Sequence, residues 1–225
     1  MSTLLDWPEF EIDARKFQNQ LSSLANTLAL KVQREGPKRL PAPKFVCSDL
    51  YVILRQAMNI YHLFFFINAE ERRKKDPDWK IQYSAAILPL TRCMIDCLYN
   101  ITSILMNPGK KGTHFRASGY MMALRALDTE EARYKSQPKW DTYIADRRAG
   151  LDLLMRADQI TEAEARKVEM WPTLGRYLNI GPTSVPAPHQ AFLRTFTLGF
   201  WREYSGMAHA TFEGLMPTAI FFCAK

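Results

Sequence analysis

Apolar residues recur with the period of an α-helix along most of this chain. In the first 30 residues the apolar positions are separated by seven, four, three and four residues, which places them on one face of a helix. These residues are Phe10, Phe17, Leu21, Leu24 and Leu28. A similar stripe extends from Tyr83 to Leu105. No stretch of six residues alternates apolar and polar side chains between turn signals, so we predict little or no β-sheet.

Proline, glycine and capping residues divide this pattern into separate helices. Gly36-Pro37 is expected to end the first helix, and Pro89 is expected to kink the third or to mark its start. Thr161 and Glu164 have the spacing of a capping box. We predict helices at about 7–34, 48–73, 79–106, 115–135, 138–157, 162–170 and 189–209, with one further turn through 178 and a short apolar helix at 210–224. The sequence therefore predicts an all-α fold, a single-domain bundle of six to eight helices spanning residues 1–225.

The composition is that of a globular protein with a basic surface. Of 225 residues, 47% are hydrophobic and 24% are charged, which is enough apolar material for a sizeable core. The formal net charge is +7 and the isoelectric point is near 9.3. This charge is compatible with a nucleic acid or another polyanion as partner but does not require one.

Nothing in the chain has the pattern of a targeting or membrane segment. The N-terminus lacks the basic and apolar regions of a signal peptide. The most apolar stretch, residues 50–67, contains Arg55, Gln56, Asn59 and His62, so it falls short of a membrane span. We expect a cytoplasmic protein without membrane contact. Because the chain ends on an apolar stretch, we also expect the natural chain to continue beyond Lys225.

Four cysteines, Cys47, Cys93, Cys97 and Cys223, are expected to be buried free thiols in a reducing compartment. There is no CxxC pair, and no histidine is close to Cys93 and Cys97, so a zinc site is not predicted. The chain also lacks the phosphate-binding P-loop, dinucleotide-binding, zinc-protease and serine-hydrolase motifs. We therefore predict neither a metal nor a cofactor.

The segment 107–114 is basic, contains two glycines and is predicted to be a loop. Lys110, Lys111 and Arg116 are candidates for contacts with RNA phosphates. The alternative is a loop whose charges are simply solvated, as most charge runs are.

Two of the four histidines follow an arginine by seven residues, Arg55–His62 and Arg202–His209. Two helical turns separate the members of each pair, so they share one face with a rise of about 10.5 Å between them. Such a pair suits metal-free phosphodiester chemistry, because histidine transfers a proton and arginine stabilises charge on phosphorus. If four to six intervening residues are allowed, the 17 arginines make about one match of an arginine to a histidine expected by chance.

The two arginine–histidine pairs differ in the residues that surround them. His62 precedes the apolar run 63–66, and we interpret it as a histidine of the core. Arg202 and His209 instead flank small and polar residues, with Ser205 on the same face and Gly206 beside it. The alternative is that Arg202 pairs with a neighbouring glutamate and His209 stabilises the C-terminal end of the helix.

A polar strip on the third helix is a candidate partner for Arg202 and His209. Arg92 and Asp96 are four residues apart and can pair on one helix face, and Tyr99 and Asn100 continue the strip. The alternative is an ion pair with a purely structural role.

Together these motifs resemble the HEPN superfamily of all-α domains, found in prokaryotic toxins, abortive-infection proteins and RNA-cleaving effectors. The resemblance rests on Arg92-x-x-x-Asp96 and on Arg202-Glu203-Tyr204-Ser205-x-x-x-His209. The chain is similar also to uncharacterised bacterial helical families with a C-terminal Tyr-Ser-x-x-x-His motif. On this basis residues 1–46 form an N-terminal helix and linker, and residues 47–225 form a HEPN-like core.

The resemblance implies a metal-independent endoribonuclease in phage defence or a toxin–antitoxin system. His209 is then the general acid and base, Arg202 stabilises the phosphate and Ser205 positions the substrate, with Arg92, Asp96 and Tyr204 in support. It also implies RNA as substrate, a homodimer that shares the site, and a cognate antitoxin or defence-complex partner. Two alternatives stay open, a non-catalytic helical interaction or dimerisation module and a pocket for a small ligand.

Overall fold

The computed structural model describes the backbone of residues 7–73, 77–135, 137–174 and 191, and the side chains of residues 19–64, 89–135, 137–174 and 191. Six α-helices and one short 3₁₀-helix account for almost all of this backbone, and no strand occurs in it. The helices are α1 (Trp7–Arg39), α2 (Lys44–Arg73), α3 (Pro77–Met106), α4 (Pro108–Tyr134), a 3₁₀-helix (Pro138–Trp140), α5 (Asp141–Ala157) and α6 (Glu162–Lys167). The predicted all-α fold is confirmed.

Helix α4 is the centre of the bundle. It packs against α2, α3, α5 and α6, while α1 packs on α2. One cluster of buried side chains joins α2 to α3, and a second joins α4 to α5 and α6. The first contains Val46, Leu50, Ile53, Cys97 and Ile104, and the second contains Ala117, Tyr120, Leu124, Met155, Ile160 and Ala165. None of the described helices is both long enough and apolar enough to cross a lipid bilayer.

The predicted loop at 107–114 is wrong, because α4 already begins at Pro108. Asn107 caps the helix, its Oδ1 accepting a hydrogen bond from the Lys110 amide at 3.1 Å. Gly112 lies within the helix, and a Cβ there would lie 2.6 Å from the Val46 methyl groups, so the contact with α2 requires a glycine. A Cβ at Gly109 would lie 2.9 Å from the Pro41 carbonyl oxygen. These glycines allow close helix contact and do not mark a turn.

The predicted end of α1 and start of α2 also differ from the structure. Helix α1 continues through Gly36-Pro37 to Arg39, and α2 begins at Lys44, four residues before the predicted start at residue 48. Gly36 is buried against Cys47, whose sulfur would lie 2.9 Å from an added Cβ. The helix tolerates Pro37 near its end, where the loss of one amide donor removes only one hydrogen bond of the last turns.

The leucine stripe of α1 is not its main packing face. Ala29 is buried, whereas the Leu24 side chain is 65% exposed and Leu28 is exposed as well. Small residues such as Ala29 and Gly36 let α1 approach α2 closely, and larger leucines one step around the helix are left at the surface.

The interpretation of His62 as a core residue is wrong. His62 is exposed on α2, and the Arg55 guanidinium, also exposed, donates a hydrogen bond to Asn26 Oδ1 on α1 at 2.7 Å. Arg55 therefore joins α1 to α2 and is not paired with His62 in a buried site.

The cysteine prediction is right for two of the described residues and wrong for one. Cys47 and Cys97 are buried free thiols, whereas Cys93 is exposed. Cys97 packs in the cluster between α2 and α3, and burial raises its pKa to about 11, with smaller contributions from Cys93 and Asp96. Cys93 lies one turn earlier on α3, outside that cluster. Cys223 lies outside the described residues.

Two other predicted features can be compared directly. Helix α3 continues through Pro89. The capping box before α6 is confirmed, because Thr161 Oγ1 accepts a hydrogen bond from the Glu164 amide at 3.2 Å and Glu164 Oε2 accepts one from the Thr161 amide at 2.8 Å.

Candidate functional site

A cleft of about 760 Å³ opens between α3, α4, α5 and the segment 169–174. Its polar lining comes mainly from α3 and α4, and its apolar lining comes from α4, α5 and the segment 169–174. The polar side chains are Asp49, Arg92, Asp96, Tyr99, Asn100, Arg116, Ser118, Tyr120 and Thr173. A concave apolar site with a few convergent polar groups is the usual form of a binding or active site.

The polar strip predicted on α3 lies along one wall of this cleft. Arg92 Nε is 3.9 Å from Asp96 Oδ2, and both side chains are half-buried. The predicted contact between these two residues is therefore present. At 3.9 Å the contact is a loose ion pair, beyond hydrogen-bond distance.

The other two residues of the strip anchor the segment 169–174. Tyr99 donates a hydrogen bond from its hydroxyl to the Pro172 carbonyl at 3.1 Å, and Trp171 Nε1 donates to Asn100 Oδ1 at 2.9 Å. The Trp171 amide also donates to Ser118 Oγ at 2.6 Å. These contacts fix Trp171 between α3 and α4.

His114 holds the start of the same segment. Its Nε2 lies 2.8 Å from the Glu169 carbonyl oxygen, and its ring meets the Trp171 ring edge-on at a centroid distance of 5.3 Å. Phe115 packs against Trp171 in the same manner at 5.2 Å. Aromatic packing and backbone hydrogen bonds thus make the segment 169–174 a fixed wall of the cleft.

A buried ion cluster forms the other polar part of the cleft. Arg116 on α4 contacts Asp49 on α2 at 2.9 Å and Asp158, just after α5, at 3.4 Å. Only 25% of the Arg116 side chain, 15% of Asp49 and 16% of Asp158 is exposed. Tyr120 donates its hydroxyl hydrogen bond to Asp158. One guanidinium therefore connects α2, α4 and the end of α5.

Burial shifts the protonation of this cluster. Desolvation raises the pKa of Asp49 to about 6, against the opposing charge and hydrogen bond of Arg116, and the Asp158 charge adds to the rise. Desolvation and the hydrogen bond to Asp158 raise the pKa of Tyr120 to about 12, so its hydroxyl stays a donor. A carboxyl that titrates near neutral pH in a cleft has the property required of a general acid or base, although structural ion pairs shift pKa values as well.

The chain matches no protein-family model, no curated protein and no solved structure at a significant level. The HEPN resemblance therefore rests on the sequence motifs alone.

The four C-terminal candidates, Arg202, Tyr204, Ser205 and His209, lie outside the described residues. The structure therefore gives no position for the predicted catalytic pair. Among the described candidates, it brings Arg92, Asp96 and Arg116 to one cleft.

The three basic candidates near the start of α4 occupy two different environments. Lys110 is exposed in the first turn, and Lys111 is half-buried with a pKa lowered by desolvation. Arg116 instead contacts Asp49 and Asp158 inside the cleft. We therefore do not count Arg116 among the groups that face solvent and could bind a phosphate.

Sequence reasoning missed Asp49 and Tyr120 as cleft residues and Asp158 as their neighbour in the ion cluster. Asp49 is 67 residues away from Arg116 in the chain. No local spacing indicates such a contact. In the described part of the chain, no three His, Cys, Asp or Glu residues are grouped so that they could hold a metal ion.

Proposed function

We propose that this protein is a HEPN-like, metal-independent endoribonuclease that serves as a toxin or effector in phage defence. The observation that carries the proposal is the Arg92–Asp96 pair in the wall of an open cleft, one of the two motifs that the resemblance requires. A purely structural ion pair needs no cleft, whereas a pair that orients a substrate or a catalytic residue does.

In this proposal the catalytic groups are His209 and Arg202. His209 removes the proton of a ribose 2′-hydroxyl, and the 2′-oxygen attacks the adjacent phosphorus. The bond from phosphorus to the 5′-oxygen then breaks, and the leaving oxygen takes a proton from the same imidazole. The products are a 2′,3′-cyclic phosphate and a 5′-hydroxyl.

The remaining candidates support these two groups. Arg202 stabilises the charge that develops on the phosphoryl oxygens, and Ser205 positions the phosphate. Arg92 and Asp96 orient the substrate or His209, with Tyr204 next to Ser205 in sequence. A second copy of the chain completes the site, and a cognate antitoxin or another defence protein controls it.

The test is cleavage of RNA in the presence of a metal chelator by the wild type and by His209→Ala. We expect the variant to cleave at least about 100-fold more slowly, because general acid–base catalysis contributes at least that much. His62→Ala is the matched control, because His62 follows Arg55 with the same spacing and is exposed on α2. Equal cleavage by the wild type and His209→Ala would exclude this site.

A second candidate function is a non-catalytic interaction module. Met122, Leu154 and Met170 line the cleft and are all exposed. Flexible methionines around an apolar groove suit the apolar face of a partner helix. Folded wild-type protein that leaves RNA intact under all chelator and salt conditions would favour this module over the ribonuclease.

A further inference from the structure

An RNA-cleaving protein must hold the phosphate backbone, and the cleft is poorly charged for that purpose. Its two arginines, Arg92 and Arg116, are balanced by two carboxylates of the lining, Asp49 and Asp96, and Arg116 also contacts Asp158, so the cleft has no excess of positive charge. The whole chain carries +7. The cations that bind a polyanion must therefore lie elsewhere.

Three segments meet at one end of the bundle, beside the start of α4. They are the last turn of α1 with the connection that follows it, the start of α2, and the first two turns of α4. The segments touch, because a Cβ at Gly109 would lie 2.9 Å from the Pro41 carbonyl oxygen and one at Gly112 would lie 2.6 Å from Val46. Arg116 also donates a hydrogen bond to the Phe45 carbonyl at 3.4 Å.

This meeting point collects five basic side chains, which we call the basic end. Lys38, Arg39, Lys44 and Lys110 are exposed, and Lys111 is half-buried. Glu35 pairs with Arg39 at 3.2 Å. Within the described residues, no carboxylate lies within ion-pair distance of Lys38, Lys44 or Lys110. Lys38, Lys44 and Lys110 therefore leave three uncompensated positive charges, among the described residues, on a surface made by segments about 70 residues apart in sequence.

We propose that the basic end binds the phosphate backbone of single-stranded RNA and leads it toward the cleft. This inference rests on the proposed ribonuclease function and names the surface that holds its substrate. Helix α4 runs from the basic end to the cleft, since Lys111 and Gly119 lie on it with about 12 Å of rise between them. An RNA strand that lies along α4 passes from the lysines to Tyr120 and to the cleft wall that contains Arg92 and Asp96.

The basic end suits RNA better than an anionic membrane. Surface binding to a bilayer combines basic residues with exposed apolar side chains that enter the lipid. Within the two segments that form the basic end, residues 36–46 and 108–113, no large apolar side chain is exposed. Charge contacts without apolar insertion are what a phosphate backbone requires.

The test measures RNA binding separately from RNA cleavage. The probe is a fluorescent 20-nucleotide 2′-O-methyl RNA, which lacks the 2′-hydroxyl nucleophile and so cannot be cleaved by the proposed reaction. The variant combines Lys38→Glu, Lys44→Glu and Lys110→Glu in the full chain. The matched control combines Lys135→Glu, Lys139→Glu and Lys167→Glu, three exposed lysines near the other end of α4 with the same change in net charge.

We expect the basic-end variant to bind at least tenfold more weakly in 0.1 M salt. We also expect its slope of log affinity against log salt concentration to fall by about two, because each lost contact with single-stranded RNA removes about 0.7. The control variant should change affinity less than threefold. Circular dichroism of both variants verifies that the helices are intact.

Three outcomes would overturn the proposal. One is equal weakening by both variants, which would indicate that net charge alone matters. Another is wild-type affinity in the basic-end variant. The third is binding of the wild type to vesicles of 30% phosphatidylserine without binding to RNA. Equal cleavage by the wild type and His209→Ala, with RNA binding at the basic end intact, would instead contradict only the catalytic pair, so failures of the two proposals are distinguishable.

Discussion

The two ends of α4 both carry several charged side chains, but their surroundings differ. Near its C-terminal end three carboxylates meet arginines of α5 and α6, as in the contacts of Asp128 with Arg166 at 2.7 Å and of Glu131 with Arg148 at 2.8 Å. Glu130 pairs with Arg147 in the same region. At the N-terminal end the cations outnumber the carboxylates. Charges at one end thus link neighbouring helices, whereas at the other end Lys110 has no carboxylate of the described residues within ion-pair distance.

The ion cluster of Arg116 lies between these two ends and differs from both. Its contacts resemble those near the C-terminal end, but they are largely removed from water. Exposed ion pairs contribute little because water screens them, whereas a buried charge that loses its partner is costly. The comparison therefore predicts different effects for similar substitutions along one helix.

The largest expected effect comes from Arg116→Met. The substitution removes the cation between Asp49 and Asp158 and leaves two carboxylates in a poorly hydrated site. We expect it to lower the free energy of unfolding by about 3–5 kcal/mol, measured by urea denaturation at pH 7. Arg148→Met is the matched control, because Arg148 contacts two carboxylates at the more exposed C-terminal end.

For the control we expect a loss below about 1 kcal/mol. Comparable losses in the two variants would show that burial does not separate the two groups of ion pairs. A loss below about 1 kcal/mol for Arg116→Met would show that Asp49 and Asp158 become protonated or hydrated without cost.

The pH dependence of stability should have opposite signs in the ion cluster of Arg116 and at the C-terminal end of α4. Asp49 has a pKa raised from 3.8 to about 6 by desolvation, so between these values the folded state binds more protons than the unfolded state. Stability should therefore fall as the pH rises from about 4 to 6, by at most about 3 kcal/mol. The Arg116 contacts oppose this fall but do not reverse it.

Asp128 behaves in the opposite way. Its hydrogen bond to Arg166, followed by smaller contributions, lowers its pKa below 3.8. The stability that it contributes is present above about pH 4 and is lost as the pH falls further. The measurement is the free energy of unfolding by urea from pH 3 to 7. Asp49→Asn should flatten its slope against pH between pH 4 and 6, whereas Asp128→Asn should change that slope only below pH 4. Identical profiles of wild type and Asp49→Asn would contradict the assignment.

Sequence reasoning predicted the helices more completely than the contacts between them. The helical period and the Thr161–Glu164 capping box are local signals, and both appear in the structure as expected. The Arg92–Asp96 contact is also local, since it joins neighbouring turns of one helix. These features could be predicted because each depends on residues fewer than five positions apart.

Features that depend on distant residues were missed or misassigned. The contact of Arg116 with Asp49 spans 67 positions, and no spacing in the sequence indicates it. Gly36 and Gly112 were interpreted as breaks because glycine is frequent in turns. Both instead let α1 and α4 approach the start of α2, and that contact, formed only in the folded bundle, also brings the lysines of the basic end together.

The smallest expected effect concerns the glycines of α4. Gly112→Ala places a Cβ 2.6 Å from the methyl groups of Val46, which is fully buried, so the start of α2 or of α4 must shift. We expect a loss of about 1–3 kcal/mol in urea denaturation, the usual cost of overpacking. Gly119→Ala is the matched control, because a Cβ there meets nothing within 4 Å and should stabilise the helix by up to about 1 kcal/mol. Opposite signs at two glycines of one helix would show that packing at the basic end, and not helix propensity, requires Gly112. A stabilising Gly112→Ala would mean that α4 and α2 are not held in close contact there, and the lysines would then lack a fixed arrangement.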